Sequence, residues 1–183
     1  LEICKYIYKM KFTDHQLNQI LEDFPNFELS YEKKLHKKVQ SDIYLTIPKG
    51  KKYFAWFKLY KNIPMCFFLE INRRNKCIEN IIHYQFPFDK ILCSHTGTIL
   101  YGTMFFVNKK RCFNIENIYY LRGINMSYSN NYVIIKEMHN LMKSYIKQSY
   151  YNNNSILLGL PIIDTNYYNI TKKINNLYYD VFS

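Results

Sequence analysis

The chain is predicted to fold as one α+β domain over residues 1–183, a curved antiparallel sheet built from hairpins and covered by one long and two short helices. Three observations carry this. Ile99 to Val107 and Cys112 to Leu121, rich in β-branched and aromatic residues, flank the polar turn Asn108-Lys109-Lys110 and read as a β-hairpin. Tyr53 to Tyr60 and Met65 to Ile71 repeat that pattern around Lys61-Asn62-Ile63-Pro64. After Gly123 the period changes: Ile134, Met138, Leu141, Met142, Tyr145 and Ile146 fall on one face of a helix from near Ser129 or Asn130 to about Ser149. A hairpin alone is marginal in water, so both should join one sheet with a covered face.

In chain order, Thr13-Asp14-His15-Gln16 has capping-box spacing, and Leu17, Ile20, Leu21 and Phe24 follow at helical intervals until Pro25. Phe27 to Tyr31 alternates like a strand, and Lys33, Lys34, Lys37 and Lys38 form a basic cluster. Ile43, Leu45 and Ile47 alternate up to Pro48. Lys49-Gly50-Lys51-Lys52 reads as a turn into the first hairpin, and Asn72 to Lys76 turns the chain into a third strand, Cys77 to Tyr84. Beyond the long helix, Ile156 to Leu160 reads as a short buried strand, Asn166 to Ile174 as a small helix and Leu177 to Phe182 as a last strand. The first residue is Leu, which suggests a fragment or a processed product.

Nineteen tyrosines and many Asn, Ile and Lys stand beside one alanine, Ala55, the signature of AT-rich codons in a parasite, organelle, plasmid or large virus. The formal net charge is +11, which attracts polyanions through counterion release, so RNA or another polyanion is the expected partner. Apolar runs such as Ile63 to Leu69 are too short for a membrane span, and a cytoplasmic protein with no membrane contact is expected. Five scattered cysteines without a CxxC pair fit reduced thiols used as small hydrophobes. No glycine-rich phosphate loop, HExxH helix or metal-ligand cluster occurs, so neither cofactor nor metal is expected. Cys93-Ser94-His95 is the one Cys-His pair, and it lacks an orienting third group.

The candidate site is the aromatic-basic strand. Tyr53, Ala55, Phe57 and Leu59 should face one way and Phe54, Trp56, Lys58 and Tyr60 the other. If the second face is exposed, Trp56 can stack a base while Lys58, Lys61, Arg73 and Arg74 hold phosphates. The alternative is that Trp56 lies beneath the long helix.

Thr98-Ile99-Leu100-Tyr101-Gly102-Thr103-Met104, a basic turn, then Asn117-Ile118-Tyr119-Tyr120-Leu121-Arg122-Gly123 and a helix resemble the middle of the covalent nucleotidyltransferase superfamily, which includes mRNA guanylyltransferases and polynucleotide ligases. Gly102 and Gly123 match the family's glycines. Tyr101 and Thr103 stand where the family has Asp and Glu, and Asn117 where its second strand has Asp. Lys58-Leu59-Tyr60-Lys61 matches the family's Lys-x-Asp-Gly in its lysine alone. The resemblance covers Tyr53 to Ile146 and implies a degenerate relative like the snurportin cap-binding domain, which binds capped RNA without catalysis. With the AT-rich coding, it also suggests a large DNA virus, where the domain would work in the virus factory or virion beside other viral proteins. Three functions follow: a non-catalytic RNA-binding domain, with the capped 5′ end as one target; an active RNA guanylyltransferase or ligase with altered motifs; or a structural or assembly subunit of a viral complex.

Overall fold

The computed structural model describes residues 13–25, 41–72, 77–149 and 155–182. The expected strand Phe27 to Tyr31, the lysines Lys33, Lys34, Lys37 and Lys38, and the candidate contacts Arg73 and Arg74 lie outside them. The elements are α1 (Asp14–Glu22), β1 (Tyr44–Leu45), β2 (Lys51–Tyr60), β3 (Ile63–Asn72), β4 (Cys77–His83), β5 (Thr98–Val107), β6 (Lys110–Leu121), β7 (Ile124–Asn125), α2 (Asn131–Ser144), β8 (Leu157–Gly159), β9 (Ile163–Asp164) and α3 (Tyr167–Ile174). The class is α+β, and its centre is a curled sheet in the order β4-β3-β2-β5-β6-β7. Neighbours along that path are antiparallel, while β8 joins the far side of β6 in parallel, Asn114 opposite Gly159. Parallel pairing needs a crossover, and α2 supplies it between β6 and β8.

Both long hairpins close on two residues, tighter than the sequence suggested. Lys61 and Asn62, and likewise Asn108 and Lys109, all have positive φ, the type I′ geometry whose twist matches the strands it joins. Ile63 and Pro64 therefore belong to β3. Pro64 is tolerated because β4 begins its pairing only at Phe67, leaving no strand that would need the missing N–H.

The central strand β2 is buried on both faces. Tyr53, Ala55 and Phe57 join Leu100, Met104, Phe113 and Ile118 under Ile134, Met138 and Leu141 of α2. Phe54 and Trp56 join Leu69 and Ile99 under Ile20 of α1, with Leu17, Leu21 and Phe24 packed alongside. The alternation read from the sequence is correct, but the second face is covered. α1 carries the complete capping box from Thr13 and Gln16.

Two expected boundaries move. α2 stops at Ser144 rather than Ser149, because Ile146 bridges Phe88 and the Lys147 N–H donates to the Pro87 carbonyl. Leu177 to Phe182 is not a strand of the main sheet. It lies against the loop before β2, with a bridge between Val181 and Pro48 and a Phe182 N–H to Ile47 carbonyl bond. None of the described helices is long and apolar enough to cross a membrane.

The burial of Trp56 is testable. Trp56→Ala is expected to cost about 3–5 kcal/mol, the usual range for emptying a buried indole site. The readout is a lower urea midpoint at unchanged slope. A variant as stable as the parent would return the indole to the surface.

Candidate functional site

Trp56 cannot stack an incoming base. It is 1% exposed, its indole N–H donates to the Thr96 carbonyl at 2.9 Å, and the Phe24 ring meets it edge-on at 5.0 Å. Lys58 lies over the same indole at 4.5 Å and pairs with Asp23, just past α1, at 2.6 Å. Its side chain is 14% exposed, so Lys58 fastens the helix to the sheet and is not a free phosphate contact. Lys61 is exposed, in the turn between β2 and β3. Arg73 and Arg74 lie outside the described residues, and Trp56, Lys58 and Lys61 do not form one exposed surface, since of these three Lys61 alone stands open to solvent. Cys93 is buried in a 3₁₀ turn, its thiol pushed up to about 11 by burial, whereas His95 is exposed at positive φ. They form no nucleophile-base pair.

What the α1 face does bring together lies one hairpin-length away. Lys52 is opposite Thr103, and Thr103 is opposite Asn114, so β2, β5 and β6 contribute one row. The register of β5 on β6 slips between Tyr101 and Gly102, which leaves Glu116 as the extra residue of a β-bulge. Without the bulge a one-residue shift would send this carboxylate to the opposite face. With it, Glu116 accepts from the Lys52 ammonium and from the Thr103 hydroxyl, in a contact where the Lys52 and Glu116 side chains are 1% and 6% exposed. The Tyr101 ring lies 5.3 Å from the same ammonium. Gly102 permits the close approach of the β6 backbone beside the bulge, since a Cβ there would strike the Asn114 carbonyl oxygen at 2.0 Å.

The basic run into β2 is similarly paired. Lys49 reaches Asp180, Lys51 reaches Glu70 and Lys52 reaches Glu116. Burial would raise the Glu70 carboxyl, but hydrogen bonds from Lys51 and the Tyr53 hydroxyl outweigh it and hold Glu70 below its ordinary 4.5. These counter-ions could not be read from local sequence, because Glu70 and Glu116 are 19 and 64 positions from their lysines.

Beyond Thr103, towards the tip of the β5–β6 hairpin, a cleft of about 370 Å³ opens between Phe105, Lys110, Cys112, Asn114, Gly159 and Tyr179. Phe105 and Tyr179 pack with ring centroids 4.8 Å apart. Among the described residues, no group of three or more His, Cys, Asp or Glu side chains is placed to hold a metal ion.

Two outcomes are expected. Glu116→Gln leaves a buried ammonium without its charge partner and should destabilise by about 3–5 kcal/mol, whereas Lys52→Met with Glu116→Leu should recover most of that stability in urea unfolding. Acid should weaken the fold in two stages. Burial holds His83 below its ordinary 6.5 despite its contact with the Cys66 carbonyl, so its contribution is complete above pH 6.5 and fades as pH falls through the folded value. The Glu70 contribution is complete above 4.5 and fades below it. His83→Gln should flatten the first limb of stability against pH and Glu70→Gln the second.

Compared with known proteins, the chain matches no family model and no curated protein, so what this site does rests on its own residues.

Proposed function

We propose that this chain is a non-catalytic nucleotidyltransferase-like domain that binds RNA. The observation that carries this reading is the Lys52–Glu116–Thr103 cluster. Lys52, not Lys58, is the lysine beside Tyr101 and Thr103, the positions the resemblance aligns with the family's acids. Attack on a phosphate needs an amine with a free lone pair and metal-bound carboxylates to take up the developing charge. Here the carboxylate delivered by the bulge is engaged by the lysine and a hydroxyl, and Tyr101, Thr103 and Asn117 supply no other.

Affinity for RNA comes from the surplus charge. The ion pairs inside the fold leave the net +11 unchanged, since each pair removes one charge of each sign. Lys109 and Lys110 stand exposed at the hairpin tip, and Lys110 lines the cleft. Capped 5′ ends are one RNA class this surface would take.

The test has two arms. RNA binding should weaken linearly in log salt, and Lys109→Glu with Lys110→Glu should flatten the slope by roughly 0.7 for each phosphate that is no longer neutralised. An unchanged slope would remove the hairpin tip from the interface, and absence of binding at low salt would sink the reading. Intact-protein mass measured after incubation with each nucleoside triphosphate and Mg²⁺ or Mn²⁺ should stay that of the parent. A gain of one nucleoside monophosphate mapping to Lys52 or Lys58 would instead establish the guanylyltransferase or ligase alternative.

A further inference from the structure

The cleft contains a polar atom that the fold does not use. Asn114 is 4% exposed, and its Nδ2 has no hydrogen-bond partner among the described residues. The reason is in the ladder row. On one side of Asn114 stands Thr103, whose hydroxyl is donated to Glu116, and on the other stands Gly159, which has no side chain. An unmet donor in such a place costs free energy, and native folds seldom keep one without a use.

The cleft that Asn114 lines is open beside Gly159. A Cβ built on Gly159 meets no heavy atom within 4 Å. The walls are the Phe105 and Tyr179 rings, and the rim carries Asn108 and Lys110. The volume lies within the range of about 300–1,000 Å³ usual for small-ligand clefts. Such a lining suits a flat, largely apolar group with a hydrogen-bond acceptor at its inner edge and an anion at its outer end.

We infer that the cleft takes one unstacked RNA base, uracil or guanine, with uracil O4 or guanine O6, the edge position where cytosine and adenine carry an amino group, on Asn114 Nδ2 and the ring against Phe105 and Tyr179. The inference rests on the RNA-binding reading and adds to it a site and a base preference. None of the lining residues is a position of the nucleotidyltransferase motifs. Uracil presents an acceptor where cytosine presents an amino donor, so these two bases of one size report directly on the Asn114 contact. Stacking against this ring pair supplies affinity that is indifferent to this choice.

The experiment compares oligouridylate with oligocytidylate of equal length on the parent, Asn114→Leu and Gly159→Leu. The parent should prefer oligouridylate by up to about tenfold, the scale of one net hydrogen bond. Asn114→Leu should erase the preference and, without RNA, melt no lower than the parent, because it removes an unpaired donor at nearly constant volume. Gly159→Leu fills open space and should weaken both RNAs while the protein stays folded. Equal binding of the two RNAs by the parent, or undiminished binding by folded Gly159→Leu, would overturn the inference and leave RNA binding standing. Uridine monophosphate provides the independent arm, read as protection of Cys112 from alkylation with exposed Cys77 as the internal control. If the parent binds no RNA, the wider reading falls; protection by the mononucleotide would then support the cleft, and its absence would overturn that too.

Discussion

The described fold depends on β2 being buried on both faces. Six consecutive residues, Lys52 to Phe57, are out of contact with water, so the sheet is stable only if each side is covered. α2 covers one with Ile134, Met138 and Leu141, and α1 covers part of the other with Ile20 and its neighbours. Packing of this kind is driven by apolar area removed from water, on the order of 25 cal/mol per Å². A Trp and a run of Phe on the second face would otherwise form an apolar patch larger than a monomer normally shows.

Covering that face also decides the electrostatics. Lys52 and Lys58 are on the covered side of β2, and each is met by a carboxylate from a distant segment, Glu116 and Asp23. Burying one such charge alone is costly, and paired it becomes tolerable without becoming a large source of stability. The pairs therefore act more as register marks than as glue. Lys52 meets Glu116 only if the β6 bulge falls where it does, and Lys58 meets Asp23 only if α1 sits at this place on the sheet.

The same face changes character along its length. Under α1 it is a dry aromatic cluster, at Lys52 and Glu116 a compact polar knot, and past Thr103 a cleft lined by the Asn114 amide, whose Nδ2 has no partner among the described residues. α1 covers the first portion and leaves the last open, where Tyr179 of the C-terminal segment packs on Phe105 in the lining. Sheet and helices thus place the open end of the face beside the lysines of the hairpin tip.

The sequence by itself determined whatever depends on near neighbours along the chain. The capping box at Thr13 and Gln16, the Asn130 cap of α2, the two hairpins and the facing of alternate residues of β2 all follow from local hydrogen bonding and period. The class of fold followed from those elements. Tertiary structure alone decided which faces are covered, because alternation says that Trp56 and Phe57 point apart but not what lies above either. It also decided where α2 yields to a bridge with Phe88, that β8 runs parallel, and that Glu116 turns towards Lys52. A bulge adds one residue with no local signature, and its effect on facing exists only relative to the partner strand. The unmet Asn114 Nδ2 is of the same kind, since among the described residues a threonine and a glycine are what pairing sets on either side of it.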